Sequence, residues 1–120
     1  MIGSLGDEMS DEHSHQVGFL LWFRQKYPTT LIFAIPNGSW RDPRTAVKLK
    51  KEGVTPGIPD LYVPKHHLWI ELKTEKGKLS PEQSAMHHYL RAIGDTVIVG
   101  YGAEDASRKI LETFKSHNNQ

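Results

Sequence analysis

Asp60 and Glu71 are the side chains around which chemistry in this sequence would turn. Pro59-Asp60 is followed after ten residues by Glu71-Leu72-Lys73, a pattern in which two carboxylates can hold a divalent metal with a lysine beside them. Asp60-Leu61-Tyr62-Val63 and Leu68-Trp69-Ile70-Glu71-Leu72-Lys73 are rich in β-branched, aromatic and large apolar residues, and both predict strands. Pro64-Lys65-His66-His67 between them is short enough for a hairpin loop. If Val63 pairs with Leu68, the register sets Asp60 directly opposite Glu71. Side chains alternate along a strand, so Glu71 and Lys73 share a face while Ile70 and Leu72 point to the other. Facing carboxylates with Cβ atoms about 5 Å apart repel. A hard cation such as Mg²⁺ or Mn²⁺, which prefers oxygen ligands, turns that repulsion into a site. Acidic residues near strand ends are also commonly just solvated, and a bare pair of this kind recurs by chance.

The elements that must position these residues can be read in order. Ser10 predicts a helix cap, with Asp11 and Glu12 in a first turn that favours negative charge. Val17, Leu20, Leu21, Trp22 and Phe23 form a wide apolar face, and Pro28 ends that helix. Leu31 to Ile35 is a continuous apolar run that predicts a buried strand, and Pro36-Asn37-Gly38 turns the chain. Asp42-Pro43 predicts a cap followed by proline at the first helical position, with Gly53 as the stop. The loop from Gly53 to Pro59 then delivers the chain into Asp60. After the hairpin, Gly77 marks a turn and Ser80-Pro81-Glu82-Gln83 has capping-box spacing, with Gly94 closing the helix. Thr96 to Val99 predicts a last buried strand, and a short helix over about 103–115 precedes a polar tail. This order predicts an α/β domain with a central mixed sheet flanked by helices.

Composition bounds the rest. The 120 residues suit one domain, with 1–9 and 116–120 as tails. Hydrophobic content of 38% and charged content of 24% are ordinary for a globular protein. No run of about 18 apolar residues exists to span a membrane. Met1 to Ser10 lacks the basic-then-apolar pattern of a signal peptide, which points to an intracellular, cytoplasmic protein. The absence of cysteine excludes disulfides and thiolate metal sites. A net charge of +1 announces no nucleic acid by itself. Its distribution is more informative. Arg41, Arg44, Lys48, Lys50 and Lys51 precede the paired acids, and Lys73, Lys76 and Lys78 follow. A basic stretch beside an acidic metal site suits a phosphodiester substrate, although Lys48, Lys50 and Lys51 equally suit a solvated helix face.

Six stretches together carry a resemblance to a known family, beginning with Glu12-His13-Ser14-His15-Gln16, Phe33-Ala34-Ile35-Pro36-Asn37-Gly38, and Lys50-Lys51-Glu52-Gly53-Val54. They continue through Pro56-Gly57-Ile58-Pro59-Asp60-Leu61, Trp69-Ile70-Glu71-Leu72-Lys73, and Leu79-Ser80-Pro81-Glu82-Gln83. On these residues, from about Glu12 to Phe114, the chain resembles the small VRR-NUC nucleases of phages and bacteria. These belong to the wider PD-(D/E)xK, restriction-endonuclease-like group. The resemblance implies a restriction-endonuclease-like core and metal-dependent cleavage of DNA. It implies Asp60 and Glu71 as metal ligands, with the backbone carbonyl of Leu72 as a further oxygen. It implies Lys73 as the group that orients or deprotonates the attacking water or stabilises the pentacovalent phosphate. Glu12 would complete the acidic cluster, with Asp7, Glu8 and Asp11 as neighbouring carboxylates that could take its place, and Gln83 matches a glutamine on the helix after the metal-binding strand.

Each role has a competitor. Glu12 also complements a helix dipole, though its i,i+4 spacing puts it on one face with Gln16. Gln83 can close a capping box with Ser80, which does not exclude an active-site role. Asn37 and Gly38 are strong turn formers, and Asn37 could instead approach a DNA backbone along with Arg41, Arg44, Lys48, Lys51, Lys76 and Lys78. The histidines lack the spacing of helical zinc ligands, and most of the seven read as surface residues. Trp22 suits core or rim packing, while Trp40 and Trp69 remain open to base stacking. Stand-alone members of the resembled family imply a homodimer that cuts branched DNA, including four-way junctions, inside a bacterial or phage-infected cell. A restriction-like or nicking endonuclease is the competing enzyme, and a non-catalytic DNA-binding recombination module is the competing binder.

Overall fold

Local side-chain caps start the first three α-helices of the described residues. The structure, a computed structural model, describes residues 11–36 and 42–118. Asp11 accepts from the Ser14 N–H at 2.7 Å and caps helix α1 (Glu12–Lys26). Asp11 is thus the cap itself, not a first-turn residue, and Ser10 lies outside the described residues with Asn37, Gly38, Trp40 and Arg41. The expected apolar face of α1 needs correction. Its buried residues are Phe19 and Phe23, while Val17 and Leu21 are exposed. Positions 19 and 23, four apart, share the stripe turned to the sheet, and 17 and 21 fall on the far side. Leu20 and Trp22 flank that stripe half-buried.

Strand β1 is only Phe33–Ala34 and both residues are exposed, where a five-residue buried strand was expected. It forms the edge of a four-stranded sheet of order β1-β2-β3-β4, so only β2 (Leu61–Val63) pairs with it. Ile32 alone of the apolar run turns into the core. Helix α2 (Pro43–Lys51) is capped by Asp42, which accepts from the Thr45 N–H and hydroxyl at 3.0 and 2.7 Å, with proline in its first turn as expected. It buries no residue.

A 3₁₀ turn (Pro64–His66) joins β2 to β3 (Leu68–Lys73). The antiparallel register is Leu61↔Ile70, Tyr62↔Trp69 and Val63↔Leu68, the predicted one. Helix α3 (Pro81–Ala92) then crosses over to β4 (Thr96–Tyr101), which runs parallel to β3. Helix α4 (Ala103–Asn118) closes the chain and continues three residues beyond the expected end at Lys115. Its stripe of Ala106, Ile110 and Phe114 is buried, which anchors the helix and lets its polar end extend.

The core lies between α1, α4 and one face of the sheet. Leu61, Val63, Leu68, Ile70 and Leu72 meet Phe19, Phe23, Ile110 and Phe114 there. Complete burial of one such side chain contributes about 1.5–3 kcal/mol. Three of the seven histidines are exceptions to a surface role and help hold the frame. His15 Nδ1 accepts the Ala103 N–H at 3.2 Å and so joins α1 to the start of α4. His66 stacks on Phe114 with ring centroids 4.2 Å apart. His87 is 1% exposed, and its partner lies in the site described next. No helix among the described residues is long and apolar enough to cross a membrane.

Candidate active site

The β2–β3 register, continued by one residue, brings Asp60 opposite Glu71. Asp60 precedes the strand and is fixed from two sides. Its carbonyl accepts the Ile35 N–H at 2.8 Å, and its Oδ2 accepts the Leu72 N–H at 2.7 Å. The carboxylate is therefore tied to the backbone of the strand that bears Glu71. Alternation puts Glu71 and Lys73 on the face opposite the core, yet both are buried, at 1% and 9% exposure. That face is covered in turn by α3, which sends Gln83 and His87 toward Glu71.

Glu71 is held at both oxygens. Oε1 lies 3.0 Å from His87 Nε2, and Oε2 accepts a long bond of 3.4 Å from Gln83 Nε2. The capping box decides how Gln83 points. Its Oε1 accepts the Ser80 N–H at 2.8 Å while Ser80 Oγ accepts the Gln83 N–H at 3.1 Å. With the amide oxygen engaged at the cap, the amide nitrogen is left to face Glu71. Capping and site roles coexist in one side chain.

The electrostatics follow from burial. Desolvation pushes the Glu71 carboxyl up to about 9; the Asp60 charge and a hydrogen bond between the two carboxyls add to it, Lys73 opposes, and Glu12 contributes in the same sense. His87 is pushed down by burial and by the charges of Arg91 and Lys73, against Asp60. At neutral pH a protonated Glu71 therefore meets a neutral His87. Their 3.0 Å contact has the geometry of an ion pair, but both shifts make it a hydrogen bond between uncharged groups. Among the described residues, the buried His87 Nδ1 has no hydrogen-bond partner.

An open cleft of about 480 Å³ runs over this pair, lined by Glu12, Asp60, Glu71, Lys73 and Gln83 together with Pro56, Gly57, Ile58, Ser80 and Glu82. The five side chains singled out as catalytic from sequence thus border one space. Arg44, Lys48, Lys51, Lys76 and Lys78 do not line it and are exposed; Asn37 and Arg41 lie outside the described residues. His87 was missed as a site residue. A signal for it existed, since it follows Gln83 by four residues and so shares its helix face.

The loop before Asp60 is shaped by Gly57. It has φ +84°, and a Cβ there would stand 2.4 Å from the Glu82 carbonyl oxygen. Its backbone thus lies directly against the first turn of α3, the turn that carries Gln83.

No family model and no curated protein matches the sequence. A solved structure described as a VRR_NUC domain protein is similar in architecture, with a TM-score of 0.71 at 23% identity, over 88% of this chain and 88% of that one. The mixed sheet and its flanking helices, with the acid-bearing hairpin at their centre, give this chain the fold of a VRR-NUC domain.

Proposed function

We propose that this chain is a divalent-metal-dependent DNA endonuclease that acts on branched DNA as a homodimer. One observation carries the reading: Asp60 and Glu71 oppose each other across a ladder, with Lys73 on the same face of the same cleft. The donor set fits Mg²⁺ or Mn²⁺. Among the described residues no group of three or more His, Asp or Glu side chains gathers closely enough to hold an ion. Mg²⁺, however, commonly uses one or two protein carboxylates and leaves its other positions to water and substrate phosphates. Asp60 and Glu71 would hold the ion, with the Leu72 carbonyl and Glu12 as further oxygens. When bound, it supplies positive charge to the phosphate and acidity to water.

The protein's own groups do the rest. As the ammonium, Lys73 donates to the phosphate or to the attacking water and orients it; as the neutral amine, its Nζ accepts the proton that the water loses. Once Glu71 is ionised, the His87 Nε2–H donates to Oε1 and holds that oxygen in place, as outer partners of metal-binding carboxylates do. Gln83 restrains Oε2. The exposed Arg44, Lys48, Lys51, Lys76 and Lys78 would meet phosphates outside the cleft, Asn37 and Arg41 are proposed as further phosphate contacts, and the contribution of the charged groups falls as salt rises. A two-fold dimer suits the approximate two-fold symmetry of a four-way junction. Such a substrate accords with an intracellular setting.

End-labelled four-way junction, flap and linear duplex DNA incubated with Mn²⁺, with EDTA and Lys73→Ala controls, test this reading. Paired cuts in the junction are expected. Cleavage of linear duplex alone would replace the branched substrate by a restriction-like or nicking one. No metal-dependent product from folded protein would leave a DNA-binding module.

A further inference from the structure

Three aromatic side chains cross the sheet beside the cleft, and the nuclease reading leaves them without a task. Phe33, Tyr62 and Trp69 are directly opposite one another in the registers of β1, β2 and β3. Directly paired residues project to the same face of a sheet. Tyr62 stands two residues from Asp60 and Trp69 two residues from Glu71, so that face is the one that carries the paired acids. Two residues along a strand span about 6.6 Å, which makes the aromatic row the immediate neighbour of the cleft. Ring centroids are 5.9 Å apart for Phe33 and Tyr62 and 4.2 Å for Tyr62 and Trp69.

The row lies outside the main core. The largest apolar cluster is on the other face, with Leu61, Val63, Leu68 and Ile70; on the row's own face, Val97, the β4 partner of Trp69, is buried beside it. Phe33 keeps 41% of its surface exposed, and Tyr62 and Trp69 are half-buried. It is also preorganised. The Trp69 indole N–H donates to Asp95 Oδ2 at 2.9 Å, which pins that ring, and Tyr62 leans on it.

We infer that Phe33, Tyr62 and Trp69 form a stacking platform for an unstacked nucleobase of the DNA strand whose phosphate occupies the cleft. The inference rests on the nuclease reading and specifies its substrate. Within a duplex both faces of each base are already stacked, so only a strand end, flap or branch point offers a free π-face to an uncharged aromatic row. Stacking of this kind is tolerant of base identity. The enzyme would therefore select DNA structure rather than sequence.

The test is binding without cleavage, in EDTA. A flap substrate carries 2-aminopurine at its first unpaired position, and fully paired duplex is the comparison. Wild type is expected to quench the 2-aminopurine fluorescence. Phe33→Ala and Tyr62→Leu, each verified as folded by circular dichroism, should lose the quench and bind the flap about 5- to 100-fold more weakly. Duplex binding should change less than about twofold. Unaltered flap affinity and quenching in both variants overturn the platform, and they do so whether or not the wild type cleaves in Mn²⁺. A dimer that becomes monomeric in Phe33→Ala with the quench intact also overturns it and assigns the row to a second copy. Quenching by a wild type that never cleaves supports the platform while ending the nuclease reading.

Discussion

Under the proposed function, Glu71→Gln and Lys73→Ala are expected to lose metal-dependent DNA cleavage by at least about 10²–10³-fold, the loss typical when one preorganised electrostatic group is removed from an active site, and both to remain folded. Glu71→Gln is the more informative. In the metal-free protein the carboxyl is already neutral at pH 7, because burial and Asp60 hold it up to about 9. Glutamine reproduces that neutral group in shape and hydrogen bonding, so the fold has little to lose. Catalysis has everything to lose, since an amide cannot take the charge that a cation demands.

The pH dependence has a definite sign. A carboxyl raised in the folded state keeps a proton that the unfolded chain gives up above about pH 4.5. Its stabilising contribution is complete below that pH and is lost as pH rises toward 9. Metal-free wild type should therefore melt progressively lower between pH 5 and pH 9 relative to Glu71→Gln. Thermal melts of the two proteins in EDTA check this, and parallel curves across the range would refute the buried, protonated Glu71.

Gly57→Ala is expected to impair both stability and activity, through a different link. The left-handed backbone at φ +84° costs a residue with a side chain about 1–2 kcal/mol. The added methyl would also meet the Glu82 carbonyl oxygen at 2.4 Å, and backbone cannot swing aside as a flexible side chain would. Overpacking of this sort adds about 1–3 kcal/mol. The loop must lift off α3, and it leads into Asp60 three residues later. A displacement of about 1 Å at a reacting group can cost on the order of 100-fold in rate. Gly53→Ala is the control. Gly53 has φ +98° with nothing within 4 Å of its added Cβ, so it carries the conformational cost without the collision. A melting temperature for Gly57→Ala several degrees below that of Gly53→Ala is the expected result, and equal values would show that the loop does not bear on α3.

How much of this was legible in the sequence depends on the kind of signal. The hairpin register was, because Pro64 to His67 leaves little choice for pairing Val63 with Leu68, and a two-residue period then sets every other pair. The capping box at Ser80 and the Asp42-Pro43 helix start were also legible, being local chemistry. The run from Leu31 to Ile35 misled, since a continuous apolar run does not say whether one neighbouring strand or two will pair with it. In α1, five apolar residues within seven positions left the core stripe ambiguous, and Phe19 was not counted. His87 was weighed only as a zinc ligand, so its place one helical turn after Gln83 went unused. The burial of Glu71 could not be read at all. It depends on α3 folding back over a face that alternation alone leaves open to solvent.

The pairing of Asp60 and Glu71 around a divalent cation is tested most directly by calorimetric titration of Mn²⁺ into the wild type, Asp60→Asn and Glu71→Gln. Binding by the wild type that is lost in both variants, with their folds intact, is the predicted result. Mn²⁺ affinity unchanged in either variant would place the ion elsewhere and contradict the proposed site.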